Sequence, residues 1–350
     1  MDQQQIPQQE LQRPKRENQG GGNLTLFLGF SAYVGAIIIM VIALVIYILS
    51  AAFSYGSNFG ASDINNWFSP SLTQLITFIA SLVLVAPAVI FGLQKKRGIS
   101  FQDRFNLHNP GPAAILLCLF LIGPLAQLAI NGLQMLWQAA FPALFEAAER
   151  QQGASSLLFG DSVWIVLFVI AVTPAITEEL LFRGMVLGEY AQRMKRNKAI
   201  ALSALVFSLM HISFFSLPYT FLLGLILAWL FYQTHSIIPG MVLHFSFNAS
   251  AVLLEMVVPK SFTDKYINNL IPGTIAVNGL LFLIIGGAAV VGLLALLRKL
   301  SAEARKTPIK QLYITKTHKW AFVTVVSVLG AFAAIILLAI LLVASVSPWL

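Results

Sequence analysis

Charged side chains are scarce in this chain, and their scarcity determines its class. Asp, Glu, Lys and Arg make up 10% of the 350 residues, whereas hydrophobic residues make up 58%. A soluble domain needs about a quarter of its residues charged, because charged groups cover much of its surface. The composition therefore excludes a soluble globular fold and predicts an all-α, polytopic membrane protein.

Cysteine and the common catalytic signatures are also missing. Cys118 is the only cysteine, so no disulfide bond can form within the chain. The sequence has no phosphate-binding glycine loop, no Gly-x-Ser-x-Gly nucleophile elbow, no Cys-x-x-Cys pair and no His-Glu-x-x-His zinc motif. Any catalytic site must therefore be sought among the few polar side chains of the apolar segments.

Long apolar segments account for most of the chain. A helix needs about 20 residues to cross roughly 30 Å of hydrocarbon, and about nine segments meet that requirement. Their predicted bounds are 24–52, 71–93, 112–138, 162–187, 199–217, 219–234, 237–258, 273–297 and 320–347. We therefore predict a transmembrane helix bundle of about nine spans.

Basic residues fall in every second connection between these spans. Most of the 22 Lys and Arg residues lie in 1–22, 95–104, 193–198 and 298–319. Because short cytoplasmic loops are enriched in Lys and Arg, we predict a multi-pass protein of the plasma (inner) membrane with a cytoplasmic N-terminus. This topology and anionic lipid head groups explain the net charge of +8, so no nucleic-acid partner is expected.

Two adjacent glutamates, Glu178 and Glu179, follow an uninterrupted apolar stretch. A charge at the bilayer centre costs roughly 2.5 to 3.5 kcal/mol on insertion scales, so its presence indicates a functional site. Neighbours on a helix point about 100° apart, so the two carboxylates must have different roles. Arg183 has the spacing of a helical ion pair with Glu179, which leaves Glu178 to face a cavity. The structural alternative places all three in the interfacial zone, where charges cost little.

Pro174 precedes Glu178 by one turn. Proline has no N–H, so it removes one backbone hydrogen bond and bends or opens a helix. The carbonyl that it frees needs a water molecule or a protein group as partner.

Two histidines lie in the apolar segments that follow. His211 comes four residues after Phe207, and His244 comes four residues before Asn248, so each pair shares one helical face. A lone histidine in a membrane span is more often a hydrogen-bond partner between helices than a catalyst. Two histidines, a glutamate without a partner and an asparagine in consecutive spans favour a functional site.

These residues resemble the CAAX-processing and bacteriocin-processing (CPBP, Abi) intramembrane endopeptidases. The family pattern is Glu-Glu-x-x-x-Arg, then Phe-x-x-x-His, then His-x-x-x-Asn or Asp on successive membrane helices. All three motifs are present in order, as Glu178-Glu179 with Arg183, Phe207 with His211, and His244 with Asn248. The resemblance covers about 100 residues, roughly 162–258.

Composition and hydropathy, together with the resemblance for the catalytic core, divide the chain into four predicted parts. They are a disordered cytoplasmic tail at 1–22, N-terminal transmembrane helices at 23–161, a catalytic helical core at 162–258, and C-terminal transmembrane helices at 259–350 with a basic cytoplasmic loop at 298–319. The expected catalytic cavity is polar and opens toward the cytoplasmic side.

The resemblance also implies a reaction, the hydrolysis of a peptide bond in a membrane-embedded or lipid-anchored substrate. Glu178 and His211 would activate a water molecule, while His244 and Asn248 would stabilise the oxyanion. The residue chemistry agrees, since a carboxylate can act as a general base and N–H donors can stabilise a developing negative charge. Glu179, Arg183 and Phe207 would support these four residues.

Other interpretations stay open. Glu178, His211 and His244 could form a two-His-one-carboxylate zinc site, although an asparagine suits an oxyanion hole better than a zinc site. We favour hydrolysis without a cofactor and keep zinc as the alternative. Polar residues at this depth and helices broken by proline also fit a transporter, and the chain could bind a membrane peptide as an immunity protein without cutting it.

Overall fold

The structure is a computed structural model that describes residues 101–302, with gaps at 111, 144, 146–161, 212–214, 264, 266–269 and 272–273, and parts of 78–89. The predicted tail at 1–22 and the predicted spans at 24–52 and 320–347 lie outside the described residues. Every regular element in the described part is helical. The helices are α1 (Phe101–Arg104), α2 (Ala113–Ala140), α3 (Val163–Leu187, continuing as Gly188–Arg193), α4 (Arg196–Leu209), α5 (Leu217–Thr234), α6 (Ile238–Met256), α7 (Lys260–Thr263) and α8 (Ile275–Leu300).

Five of these helices are long and apolar enough to cross a membrane, namely α2, α3, α5, α6 and α8. Each corresponds to a segment that the sequence predicts as a span. The helical class and the presence of several spans are therefore confirmed. The total of about nine spans stays a prediction.

The predicted span at 199–217 is wrong in its bounds. The helix there, α4, has 14 residues and ends at Leu209, and the chain turns at Met210 and His211. Pro218 lies in the first turn of α5, where a missing N–H costs nothing, whereas within a helix that continued from α4 its ring would clash with a carbonyl of the preceding turn. A continuous helix up to residue 217 is therefore excluded, and the Ser208 hydroxyl instead contacts Thr220 Oγ1 at 2.8 Å, which joins α4 to α5.

Helix α3 is irregular at the level of the glutamates. It contains π-helical stretches at Leu167–Val172 and Glu179–Leu187, which flank a short α-helical stretch at Thr173–Glu178. π-Helical turns are rare in proteins and occur frequently at functional sites. The backbone that carries Glu178 and Glu179 therefore departs from regular geometry on both sides.

Small residues let α2 and α8 approach closely. A Cβ atom at Gly286 would lie 2.6 Å from the backbone nitrogen of Ala129, and one at Gly279 would lie 2.8 Å from the carbonyl oxygen of Gly132. Such close approach through small residues is typical of packed membrane helices. Gly123 of α2 similarly lies against Ser246, so α2 also packs directly on α6, the helix that carries His244.

Contacts between loops show which helix ends lie together. Ile237 N–H donates to the Asn106 carbonyl at 3.2 Å, and Ser236 Oγ donates to the His108 carbonyl at 2.7 Å. Phe145 and Phe215 form an edge-to-face pair with centroids 4.8 Å apart. The residues before α2 therefore lie beside the loop between α5 and α6, and the residues after α2 lie beside the loop between α4 and α5.

Candidate active site

Glu179 lies at the centre of a buried polar cluster on α3 and α6. Its Oε1 atom accepts a hydrogen bond from Arg183 Nη1 at 2.6 Å, and both side chains are buried. The ion pair that the sequence predicts is therefore present. The same oxygen lies 3.2 Å from Nδ1 of His244, which is also buried, so the pair is one part of a three-residue cluster.

Arg183 is stabilised by further contacts on two helices. Its Nη2 atom lies 3.4 Å from the Gly224 carbonyl of α5, and its guanidinium carbon lies 4.5 Å from the ring centroid of Phe207. A cation over an aromatic face is attracted by the negative face of the ring. Arg183 therefore holds α3 against α4 and α5, as well as neutralising Glu179.

Phe207 joins the two motifs that carry histidines. Its buried ring makes edge-to-face contacts with His211 at 4.9 Å and with His244 at 5.9 Å between centroids. Phe182 packs on the same ring at 5.2 Å. An aromatic ring at this position holds the two imidazoles apart without offering them a hydrogen bond.

Glu178 is half-buried beside His244. Its Oε2 atom lies 3.9 Å from Nε2 of His244, beyond direct hydrogen-bond distance, and has no hydrogen-bond partner among the described residues. The carboxylate and the imidazole nitrogen are close enough to contact one small group together. Glu178 therefore differs from Glu179 in both burial and partners.

His211 lies at the exposed end of α4. Its Nδ1 atom is 2.9 Å from the carbonyl oxygen of Phe207 in its own helix, which leaves Nε2 directed away from that contact. The structure therefore places His211 beside Phe207, whereas Glu178 and Glu179 each lie within 4 Å of His244.

Asn248 binds a carbonyl group of α3. Its Nδ2 atom donates to the Ile170 carbonyl oxygen at 2.9 Å. In an α-helix that carbonyl would accept from the residue four positions later, which is Pro174 and has no N–H. Ile170 lies in the π-helical stretch that precedes Pro174, and Asn248 supplies its carbonyl with a side-chain donor from α6.

A second proline carbonyl is bound in the same way. Pro124 lies inside α2, and the carbonyl oxygen four residues earlier, that of Phe120, accepts a hydrogen bond from Ser246 Oγ at 2.6 Å. Ser246 and Asn248 both belong to α6. Helix α6 is therefore attached to α2 and to α3 through side-chain hydrogen bonds to one carbonyl near a proline in each helix.

A glycine in the first turn of α6 makes room for Glu179. A Cβ atom at Gly240 would lie 2.6 Å from Oε2 of Glu179 and 3.4 Å from its carboxylate carbon. The first N–H groups of a helix have no partner within the helix, and their positive potential favours a nearby carboxylate. Gly240 therefore allows Glu179 to lie directly against the start of α6.

A metal site needs several ligating side chains that point at one position. In the ranges that the structure describes, no three His, Cys, Asp or Glu side chains are grouped so that they could hold a metal ion. Glu178 and His244 approach each other, whereas His211 contacts Phe207. A zinc site formed by Glu178, His211 and His244 is therefore an alternative that a direct experiment must test.

The region that carries this cluster matches one known family. Residues 160–250 match the family described as Type II CAAX prenyl endopeptidase Rce1-like. This match supports the resemblance of the motif-bearing region to the CPBP/CAAX protease family. The family implies a protease that acts within the membrane, and the apolar helices of the structure agree with it. Comparisons with curated proteins and with solved structures found no match.

The sequence does not predict three contributors to the site. They are Gly240, which makes room for Glu179, the Ile170 carbonyl, and Ser246, which binds the second proline carbonyl. The prolines at 124, 174 and 239 could have indicated that such contacts exist, because each marks a place where helix hydrogen bonding changes. Their partners could not be identified, because each contact joins residues far apart in the sequence.

Proposed function

We propose that the protein hydrolyses a peptide bond of a membrane-embedded or lipid-anchored peptide, with Glu178 as the general base. The supporting observation is the Glu178 carboxylate, which lies 3.9 Å from His244 Nε2 in a helix long and apolar enough to span a membrane. A general base must lie within hydrogen-bond reach of the water that it activates. A water molecule between Glu178 and the scissile carbonyl would also lie beside His244.

His211 is the second residue assigned to the attacking water. It is the more exposed of the two motif histidines, and Nε2 is the ring nitrogen that does not contact the Phe207 carbonyl. A solvent-exposed imidazole can exchange protons with water and so return the site to its starting state. Its exposure supports proton relay better than structural hydrogen bonding between helices.

His244 and Asn248 are assigned to the tetrahedral oxyanion. They lie one turn apart on α6, and Asn248 has two amide N–H bonds, of which one binds the Ile170 carbonyl. The second N–H bond of Asn248 can therefore donate to the negative charge that develops on the oxyanion. Donors held rigidly before the reaction stabilise a transition state without reorganisation, so the bond to Ile170 supports this function.

The predicted topology supports a proposal for how the protein lies in the membrane and what it binds. We propose about nine spans, a cytoplasmic N-terminus, a location in the plasma (inner) membrane, and a catalytic cavity that opens toward the cytoplasm. The partners are a membrane protein or peptide as substrate and the lipid bilayer. A prenylated C-terminal peptide is the first substrate to test, because the matching family is described as prenyl endopeptidases.

A comparison of membrane-peptide termini in cells tests this proposal. Cells that make the wild-type protein should show new termini that are absent from cells making Glu178→Gln at the same level. Glu255→Gln is the matched control, because Glu255 is an exposed glutamate near the end of α6. Identical termini in all three cultures would contradict proteolysis and favour a transporter or a peptide-binding protein.

A further inference from the structure

Glu179 contacts two cationic or donor groups through one oxygen atom. Oε1 lies 2.6 Å from Arg183 Nη1 and 3.2 Å from His244 Nδ1. A carboxylate paired with arginine offers only hydrogen-bond acceptors. The proton of this second contact must therefore reside on Nδ1 of His244.

The position of that proton determines the chemistry of the other ring nitrogen. A neutral imidazole has one N–H, so an Nδ1–H ring has a lone pair on Nε2. Nε2 is the atom that lies 3.9 Å from Glu178. We propose that Glu179 is a positioning residue, which fixes the proton of His244 on Nδ1 and directs Nε2 toward Glu178 and the reacting peptide.

This inference rests on the proposed function and deepens it. Nε2 can donate to an oxyanion only when both ring nitrogens carry protons, and it accepts a proton otherwise. Attack by water forms a C–O bond and releases one proton, which Glu178 or Nε2 of His244 can accept. When the C–N bond breaks, that proton is returned to the leaving amine, so the base is regenerated and no further reactant is needed.

Gly240 enforces the position of Glu179. The carboxylate is fully buried, is bound by Arg183 and His244, and lies against the first turn of α6. A Cβ atom at position 240 would approach Oε2 to 2.6 Å, so the Glu179 carboxylate would have to move. The hydrogen bond from His244 Nδ1 to Oε1 of Glu179 would then be distorted. Gly240→Ala therefore disturbs the orientation of His244 while all ionisable groups remain.

The nitrogen atoms of His244 can be observed directly. We would label the full-length protein with ¹⁵N-histidine, reconstitute it in lipid vesicles, and identify the His244 signals by their absence in His244→Gln. The expected spectrum has a protonated Nδ1, and Gly240→Ala should shift both ring nitrogens. Gly287→Ala and Gly292→Ala are matched controls, because a Cβ atom at either position meets nothing within 4 Å.

Kinetics on a farnesylated peptide with a CAAX terminus supply the second measurement. Gly240→Ala should lower kcat roughly 10- to 100-fold with little change in KM, because small misplacements of catalytic groups have effects of that size. The two control variants should keep wild-type kcat. A merely structural glycine would instead lower the amount of folded protein and leave the kcat of the folded fraction unchanged.

The nitrogen spectrum and the kinetics together distinguish failure of this inference from failure of the proposed function. An Nε2–H tautomer with an unprotonated Nδ1 in the wild-type protein would overturn the inference, as would unchanged His244 signals and unchanged kcat in Gly240→Ala. If the wild-type protein cuts no peptide, the proposed function fails, and the nitrogen spectrum still decides whether Glu179 orients His244.

Discussion

At the scale of single residues, the adjacent glutamates differ in their partners. Oε1 of the fully buried Glu179 contacts both Arg183 and His244, whereas Glu178 is half-buried and lies 3.9 Å from His244 Nε2. Oε2 has no hydrogen-bond partner in either carboxylate among the described residues. Glu179 is therefore held in place through Oε1, and Glu178 is the carboxylate that is available to a reacting water.

Glu179→Gln should therefore destabilise the protein. Removal of one partner from a buried ion pair costs about 3 to 5 kcal/mol, because the remaining charge is buried without compensation. We expect a loss of that size in the free energy of unfolding measured in mixed micelles. Glu255→Gln should leave stability within about 0.5 kcal/mol of wild type, since surface changes rarely exceed that. Equal stability of Glu179→Gln and wild type would refute the buried pair.

The sequence predicts one of these contacts and misses the other for a physical reason. Glu179 and Arg183 are four residues apart on one helix, so helical geometry alone brings them together. His244 lies on another helix, and its contact with Glu179 depends on how α3 and α6 pack. Periodicity within one segment contains no information about that packing, so the sequence predicts the Glu179–Arg183 pair but not the third member.

At the scale of helices, proline determines how α6 is held. Pro124 and Pro174 interrupt α2 and α3, and the carbonyls four residues earlier are bound by Ser246 and Asn248 of α6. These bonds fix the rotation of α6 about its axis. His244, one turn before Asn248, is therefore held at a defined angle to α3.

A double-mutant cycle tests the Pro174 and Asn248 pair. Asn248→Ala leaves the Ile170 carbonyl without its side-chain donor, which costs roughly 1 to 3 kcal/mol when the group is buried. In the Pro174→Ala background the backbone N–H at position 174 can bind that carbonyl, so the same substitution should cost less. Additive losses of stability would show that the two residues do not share the carbonyl.

The Pro124 and Ser246 pair offers a comparison. It should show the same coupling in stability, because its hydrogen bond has the same origin. Asn248→Ala should also lower kcat roughly 10²- to 10³-fold, the effect of losing one oxyanion donor. Ser246→Ala should lower kcat far less. The sequence indicates a change in helix hydrogen bonding at Pro174, but it could not identify Asn248 as the residue that donates to a nearby carbonyl.

At the scale of the whole molecule, the described helices agree with a chain that crosses the membrane repeatedly. Loop 106–108 contacts loop 236–237, and Phe145 contacts Phe215 at the other ends of the helices. The positive-inside rule predicts that the first group of loops lies in the cytoplasm. The exposed basic residues at positions 195, 196, 198, 298 and 299 belong to the same side.

Cysteine labelling tests this topology. In a Cys118→Ala background, cysteines introduced at Lys198 and Ala302 should react with an impermeant reagent only after the membrane is permeabilised. A cysteine introduced at Ser261 should react in intact cells. All three positions are exposed, so accessibility within the fold does not limit the reaction. Labelling of position 302 in intact cells would contradict the predicted orientation.

The central claim is that Glu178 activates water for peptide hydrolysis without a metal ion. The most direct measurement is the rate of cleavage of a farnesylated CAAX peptide by purified, exhaustively chelated protein in lipid vesicles. We predict that wild type and Glu255→Gln remain active after chelation, while Glu178→Gln loses about 10²- to 10⁴-fold in rate, as expected for a general base. Activity that disappears on chelation and returns with stoichiometric zinc would contradict the claim, as would full activity of Glu178→Gln.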